Sequence, residues 1–182
     1  MRYFQLLNEN PRRFGYRAGE RLLAAGYQQL GKSGSRGTVY HKPGANFVVK
    51  VFSNDPAYAA FVDLASRHPN PHFPRFFGRL VHIDDMYAAI RIEVLRELPR
   101  DRFDDLDHIS TYLWGLGKDI ARYPFKQQDY LDAVQWMQAR PPLQQACDLI
   151  HQHLSKFLLD IKADNLMLRG ETIVLSDPVK PS

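Results

Sequence analysis

The sequence predicts an α+β fold with a small antiparallel sheet first and helices after it. Three observations point there. The run Asn46-Phe47-Val48-Val49-Lys50-Val51-Phe52 and the two stretches flanking Asp84-Asp85 are β-branched and aromatic, bounded by turn residues. Residues 100–157 contain no glycine-rich element and carry apolar residues at helical spacing. From residue 158 the pattern changes again, to a polar loop framed by short apolar strands. The chain has 182 residues, of which 45% are hydrophobic and 24% charged. That suffices for one full core or for two small lobes packed together.

Residues 1–29 read as a helical segment, because Phe14, Ala18, Leu22 and Ala25 recur on one face. Next come Gly31, Gly34 and Gly37, with Ser33 and Ser35 between them. Small side chains let a backbone come close to an anion and turn successive N–H groups toward phosphate oxygens. This is not a Walker loop, which needs a Gly-Lys-Ser/Thr ending that opens a helix. A lone Lys50 inside the following apolar strand is either an edge-strand guard or a buried functional cation. Residues 55–65 read as a helix, with Asn54 or Asp55 as N-cap and Pro56 in the first turn. Pro69, Pro71 and Pro74 interrupt any helix between His68 and His72, so those histidines are not expected to pair on a metal. Residues 76–83 and 86–95 read as a hairpin turning at Asp84-Asp85.

Three helices are then expected. The first spans residues 104–122, with Leu106, Ile109, Leu113 and Leu116 on its apolar face and Gly115 and Gly117 interrupting it. The others cover 130–138 and 143–157, separated at Pro141-Pro142. Trp114 and Trp136 read as packing residues. His151 and His153 fall on different helix faces, which does not suit a metal pair.

The chemistry is concentrated in residues 158–178. An apolar approach, Leu158-Leu159, leads to Asp160, a tight turn and Asn165. A strand, the polar turn Arg169-Gly170-Glu171-Thr172 and a second strand, Ile173-Val174-Leu175, lead to Asp177. Buried strands would fix Asp160, Asn165 and Asp177 relative to one another. An amide oxygen with one or two carboxylates makes a hard-oxygen site of the kind magnesium accepts. A further carboxylate can orient a hydroxyl nucleophile.

The run Asp160-Ile161-Lys162-Ala163-Asp164-Asn165-Leu166-Met167-Leu168 resembles the catalytic loop of protein kinases. In that family Asn follows the catalytic Asp by five residues and Lys follows it by two. A second metal Asp comes about a dozen residues after the Asn, as Asp177 does here. With Asp177-Pro178-Val179 close to the end of the sequence, the pattern is most similar to the early serine/threonine kinases of T7-like bacteriophages. The likeness is good over the last thirty or so residues and loose elsewhere, touching residues 46–52, 57–61 and 74 onward.

This resemblance implies a minimal, two-lobed protein-kinase-like fold. An N-lobe of residues 1–95 would carry the antiparallel sheet. A reduced helical C-lobe of residues 96–182 would lack the activation segment and later helices, since only five residues follow Asp177. Asp160 would be catalytic with Lys162, and Asn165 and Asp177 would bind Mg2+. Lys50 would hold the phosphates of ATP. Gly34, Gly37 and Val39 keep the G-x-G-x-x-G-x-V spacing of the covering loop, although Gly31 stands one residue early, with Lys32 in its expected place. Glu93 to Leu95 would supply the hinge that meets adenine. The family also pairs the strand Lys with a helix Glu. No Glu occurs between Asp55 and Arg91 here, and Asp63 is the nearest acid on the helix.

Serine or threonine side chains of host proteins are the implied substrates, and host takeover by a phage the implied role. An alternative is a kinase-like protein with weak or no catalysis that binds and inhibits a host protein. A small-molecule kinase akin to antibiotic phosphotransferases fits less well, because Leu158 stands where those enzymes carry a His. A bacterial effector kinase fits on size.

Composition excludes other classes. The net charge of +4 is spread along the chain, from Arg12 and Arg13 to Arg100 and Arg102. A nucleic-acid binder usually concentrates such charge, so nucleic acid is not expected as a direct ligand. Cys147 is alone, which leaves no disulfide framework and no cysteine zinc site. No signal peptide or membrane-length apolar run is read, so a cytoplasmic protein without a membrane partner is expected.

Overall fold

The structure is a computed structural model that describes residues 14–30 and 37–182. The chain divides into two compact units. The first comprises residues up to Ala59 together with Arg75–Val94, and the second Ala60–Pro74 with Leu95–Ser182.

In the first unit, helix α1 (Phe14–Ala24) precedes strands β1 (Gln28–Leu30), β2 (Gly37–His41) and β3 (Phe47–Ser53). Strands β4 (Val81–His82) and β5 (Tyr87–Glu93) complete an antiparallel sheet in the order β1-β2-β3-β5-β4. β3 is central, and Val48, Val49, Val51 and Phe52 are all buried, so both of its faces are covered. That double coverage explains an apolar run with little alternation. Ala18 lies in a core cluster with Tyr27, Tyr40, Val49, Val51, Ile83 and Ala89, and Leu22 and Ala25 pack against it. The apolar helical spacing therefore marks the buried face of α1.

The helix is shorter than its expected end near residue 29. It stops at Ala24, Gly26 takes φ +84°, and residues 28–30 pair with β2 instead. Left-handed backbone at a helix end suits glycine. The hairpin at Asp84-Asp85 is present. Asp84 Oδ1 accepts the N–H groups of Met86 and Tyr87, both at 2.8 Å. Its first strand shrinks to Val81–His82, because Gly78 at φ +89° interrupts the run and Phe76 makes only an isolated bridge to Ile92.

Helix α2 (Pro56–Arg67) begins in the first unit and continues into the second. Asp55 caps it, with Oδ1 accepting from the N–H groups of Ala57 (2.8 Å) and Tyr58 (3.1 Å). The second unit also holds α3 (Phe103–Gly115), α4 (Pro124–Gln138) and α5 (Pro141–Leu154). Proline sits in the first turn of α4 and α5, where its missing N–H costs nothing. Ile109, Leu113, Ala133, Met137, Leu143, Ala146, Cys147 and Ile150 are buried. The Tyr112 hydroxyl donates to Asp148 at 2.8 Å, linking α3 to α5. α3 ends at Gly115 rather than running to residue 122, with Gly117 at φ +73° just beyond. α4 starts six residues earlier than its apolar pattern suggests, because Pro124 supplies the start signal.

Five short strands complete this unit. β6 (Arg96–Glu97), β8 (Leu166–Arg169) and β9 (Thr172–Leu175) form one antiparallel sheet in the order β6-β8-β9. β7 (Leu158–Leu159) pairs antiparallel with β10 (Val179–Lys180). The α+β class, with an antiparallel sheet before the helices, is as the sequence predicts. Among the described residues no helix is long and apolar enough to cross a membrane.

Candidate active site

The hairpin β8–β9 is the rigid support of the acidic loop. Leu166, Leu168, Ile173, Val174 and Leu175 are buried, as their apolar pattern requires. Residues 70–74 lace its other side. The Arg169 guanidinium donates to the carbonyls of Pro71 (2.8 Å) and Phe73 (2.9 Å). The His72 carbonyl accepts the N–H of Leu175 at 2.9 Å, and His72 Nδ1 lies 2.7 Å from the Ile173 carbonyl.

Asp160, Lys162, Asn165 and Lys180 meet on one carboxylate. Asn165, only 6% exposed, donates its amide N–H groups to the Asp160 carbonyl at 2.6 Å and to Asp160 Oδ2 at 2.9 Å. Lys162 Nζ stands 3.1 Å from the same Oδ2. Lys180 Nζ donates to Oδ1 at 3.0 Å. Burial alone would raise the Asp160 pKa, but the hydrogen bonds from Lys180, Lys162 and Asn165 and the charge of Lys162 hold it below the ordinary carboxylate value. Such a group is ionised at neutral pH and is a weak base. It suits orienting a hydroxyl better than removing its proton outright.

The segment carrying Asp177 is tied to both ends of this loop. The Ser176 N–H and hydroxyl both donate to the Asn165 carbonyl, at 2.8 and 2.9 Å. The Asp160 N–H donates to the Pro178 carbonyl at 2.9 Å. Asp177 is therefore bracketed: its preceding neighbour binds Asn165 and its following neighbour binds Asp160. A two-residue ladder, Val179 opposite Leu159 and Lys180 opposite Leu158, extends the join. The apolar approach itself is not buried. Leu158 and Leu159 are 50% and 38% exposed, because β7 has only the short β10 as its sheet partner.

An amide oxygen and a carboxylate are donors of the kind magnesium accepts. Asn165 turns its two N–H groups on Asp160, so the amide orientation is fixed by oxygens that can only accept. Its Oδ1 is thereby left as an acceptor, and with the Asp177 carboxylate it offers hard oxygen donors. Among the described residues no group of three or more His, Cys, Asp or Glu side chains gathers as a metal cluster.

Lys50 lies on β3 in the first unit, opposite Val39 on β2 and Ile90 on β5. Its Nζ sits 3.6 Å from the centre of the Tyr58 ring and 6.0 Å from that of Phe52. Asp63 is not the acid that serves it. Asp63 and Arg67 form an exposed i,i+4 pair on α2, with Nε 3.1 Å from Oδ1. Gly34 lies outside the described residues. Gly37 opens β2, and a Cβ there would lie 3.0 Å from the Val51 carbonyl oxygen and 3.1 Å from Phe52 Cβ, so close strand approach already requires glycine. The Glu93 N–H is taken by the Arg75 carbonyl at 3.0 Å, and its buried carboxylate accepts the Arg75 N–H at 2.8 Å. Of the expected hinge groups, then, the Glu93 N–H already has a protein partner. Leu95 is half-buried.

Lys180 was not legible as a site residue. A lysine two residues from the end of the sequence reads as solvated. The only available signal was the apolar pair Pro178-Val179, able to face Leu158-Leu159 across a short ladder.

No family model matches the sequence. No curated protein matches it. Among solved structures it is similar to the kinase PK-1 of the Cydia pomonella granulovirus, with 14% identity, 88% of this chain and 56% of that chain covered, and a TM-score of 0.43. The chain thus spans a little over half the length of that kinase.

Proposed function

We propose that the chain is a protein kinase that transfers the γ-phosphoryl group of Mg-ATP to Ser or Thr side chains of host proteins. The bracketing of Asp177 between partners of Asn165 and Asp160 is the observation that carries this reading. It makes one unit of an oxygen pair for the metal and a carboxylate for the acceptor.

Asn165 and Asp177 would hold Mg2+, and Lys50 the phosphates, with Gly34 and Gly37 covering them. Val39, Glu93 and Leu95 would line the adenine. Bound Mg2+ neutralises charge on the phosphates and on the transferred group. Asp160 orients the acceptor hydroxyl, its carboxylate held in place by Asn165 and Lys180. Lys162, 54% exposed and 3.1 Å from Asp160 Oδ2, would steady the γ-phosphate. Radiolabelled phosphate transfer from ATP to a bacterial lysate tests the roles. Label incorporated by wild type and lost in both Asp160→Ala and Asp177→Ala supports them; undiminished label in either variant rejects them.

A second reading keeps nucleotide-free binding of a host protein as the activity. The engagement of both Asp160 oxygens by protein groups favours it. Thermal melting with Mg-ATP separates the two, since a ligand bound only to the native state raises the midpoint.

A further inference from the structure

Asn165 is held through both its side chain and its main chain. The Asp160 carbonyl and carboxylate accept the side-chain amide N–H groups. The Asn165 carbonyl accepts twice from one residue, Ser176, through its N–H at 2.8 Å and its hydroxyl at 2.9 Å. These two bonds differ in kind. The first continues the β8–β9 pairing, in which Leu166 stands opposite Leu175, and any residue but proline could make it. The second needs a side-chain donor of the right length. Ser176 is half-buried and stands directly before Asp177. Its hydroxyl therefore ties together, across the end of the hairpin, the two residues read as metal ligands.

We propose that Ser176 is the positioning residue for the Asn165–Asp177 pair, and that its hydroxyl sets the spacing of their oxygens for a small divalent cation. A carbonyl oxygen has two lone pairs. One donor leaves the peptide plane free to turn about that bond, and a second donor stops the turn. The choice of ion follows from this stiffness. Mg2+ demands near-octahedral oxygens at about 2.0–2.1 Å, whereas Ca2+ accepts irregular sets at about 2.3–2.6 Å. A pair held by both bonds discriminates between the two ions, and a pair held by the backbone bond alone discriminates less. Ser176 thus acts through Asn165 and Asp177 and needs no contact with nucleotide or acceptor. The inference rests on the reading of those two residues as magnesium ligands.

Metal binding to the intact chain tests it apart from catalysis. With ADP present, Mn2+ is titrated in, read by its paramagnetic resonance signal, and then displaced with Mg2+ or with Ca2+. Wild type should bind Mn2+, and Asp177→Ala should not. Ser176→Ala should weaken Mg2+ about ten- to a hundredfold, the usual effect of removing a group that orients a metal ligand. Ca2+ should weaken by less than about threefold, because its oxygen shell is more tolerant. Ser176→Cys, of similar size but a weak donor, should behave as Ser176→Ala does. Ser176→Thr keeps the hydroxyl and should stay within about threefold of wild type for both ions. Thermal melting identifies which variants fold. Unchanged Mg2+ binding in a folded Ser176→Ala or Ser176→Cys protein overturns the proposal. So do equal losses of Mg2+ and Ca2+, which a general loosening would give, and so does a wild type that binds no Mn2+. If wild type shows the Ser176-dependent selectivity yet transfers no phosphate, the kinase reading fails and the positioning role stands.

Discussion

Lys180 Nζ donates to Asp160 Oδ1 at 3.0 Å, from a strand immediately preceded by Pro178, whose carbonyl accepts the N–H of the same aspartate. Backbone and side chain of one short segment thus fix the carboxylate from two directions. Lys162 and Asn165 engage only the other oxygen. Oδ1 accepts from Lys180 and, on the proposed reading, would also accept the substrate hydroxyl.

Lys180→Met should therefore lower kcat with little change in KM for ATP. Lys180 is 38% exposed, so screening limits its contribution to about 1 kcal/mol, or roughly fivefold in rate. Lys180→Arg should restore most of the rate. Steady-state kinetics check this, and an unchanged kcat in Lys180→Met would remove Lys180 from the account.

His72 should make the stability of the protein fall in acid. Burial lowers its pKa most, the nearby Arg169 charge lowers it further, and the hydrogen bond to Ile173 opposes them. A depressed pKa means that the unfolded chain binds the proton first. The contribution of neutral His72 is complete above about pH 6.5, its ordinary value, and is lost as pH falls through the lower, folded value. Urea midpoints measured from pH 7.5 to 5 should fall with pH. His72→Gln should flatten that slope.

Gly115 is the last residue of α3, and it is buried. A Cβ there would collide with the Tyr130 ring of α4. Gly115→Ala should destabilise the protein by about 1–3 kcal/mol despite the better helix propensity of alanine. Gly115→Ala combined with Tyr130→Leu should recover part of that loss. Thermal melts of the three proteins test the pairing.

The acidic loop was legible because its information is local. Asp160, Asn165 and Asp177 lie within eighteen residues, and the turn at Gly170 and the buried apolar residues of β8 and β9 set their spacing. Lys180 was not legible, since it meets Asp160 through a contact across strands that no periodicity encodes. Leu158 and Leu159 misled for a related reason. Apolar composition predicts burial only where a second layer covers the strand, and β7 is paired with a two-residue strand alone. The early end of α1 could have been read from Gly26, which left Gln28–Leu30 free to pair with β2.

The paired roles of Asp160 and Asp177 are tested most directly by mass spectrometry of phosphosites after expression in bacteria. Wild type should add phosphate to Ser or Thr of bacterial proteins. Asp160→Ala should reduce those sites by about two to four orders of magnitude, and Asp177→Ala should abolish them. The same sites at wild-type occupancy in folded Asp160→Ala, or none in wild type, would contradict the account.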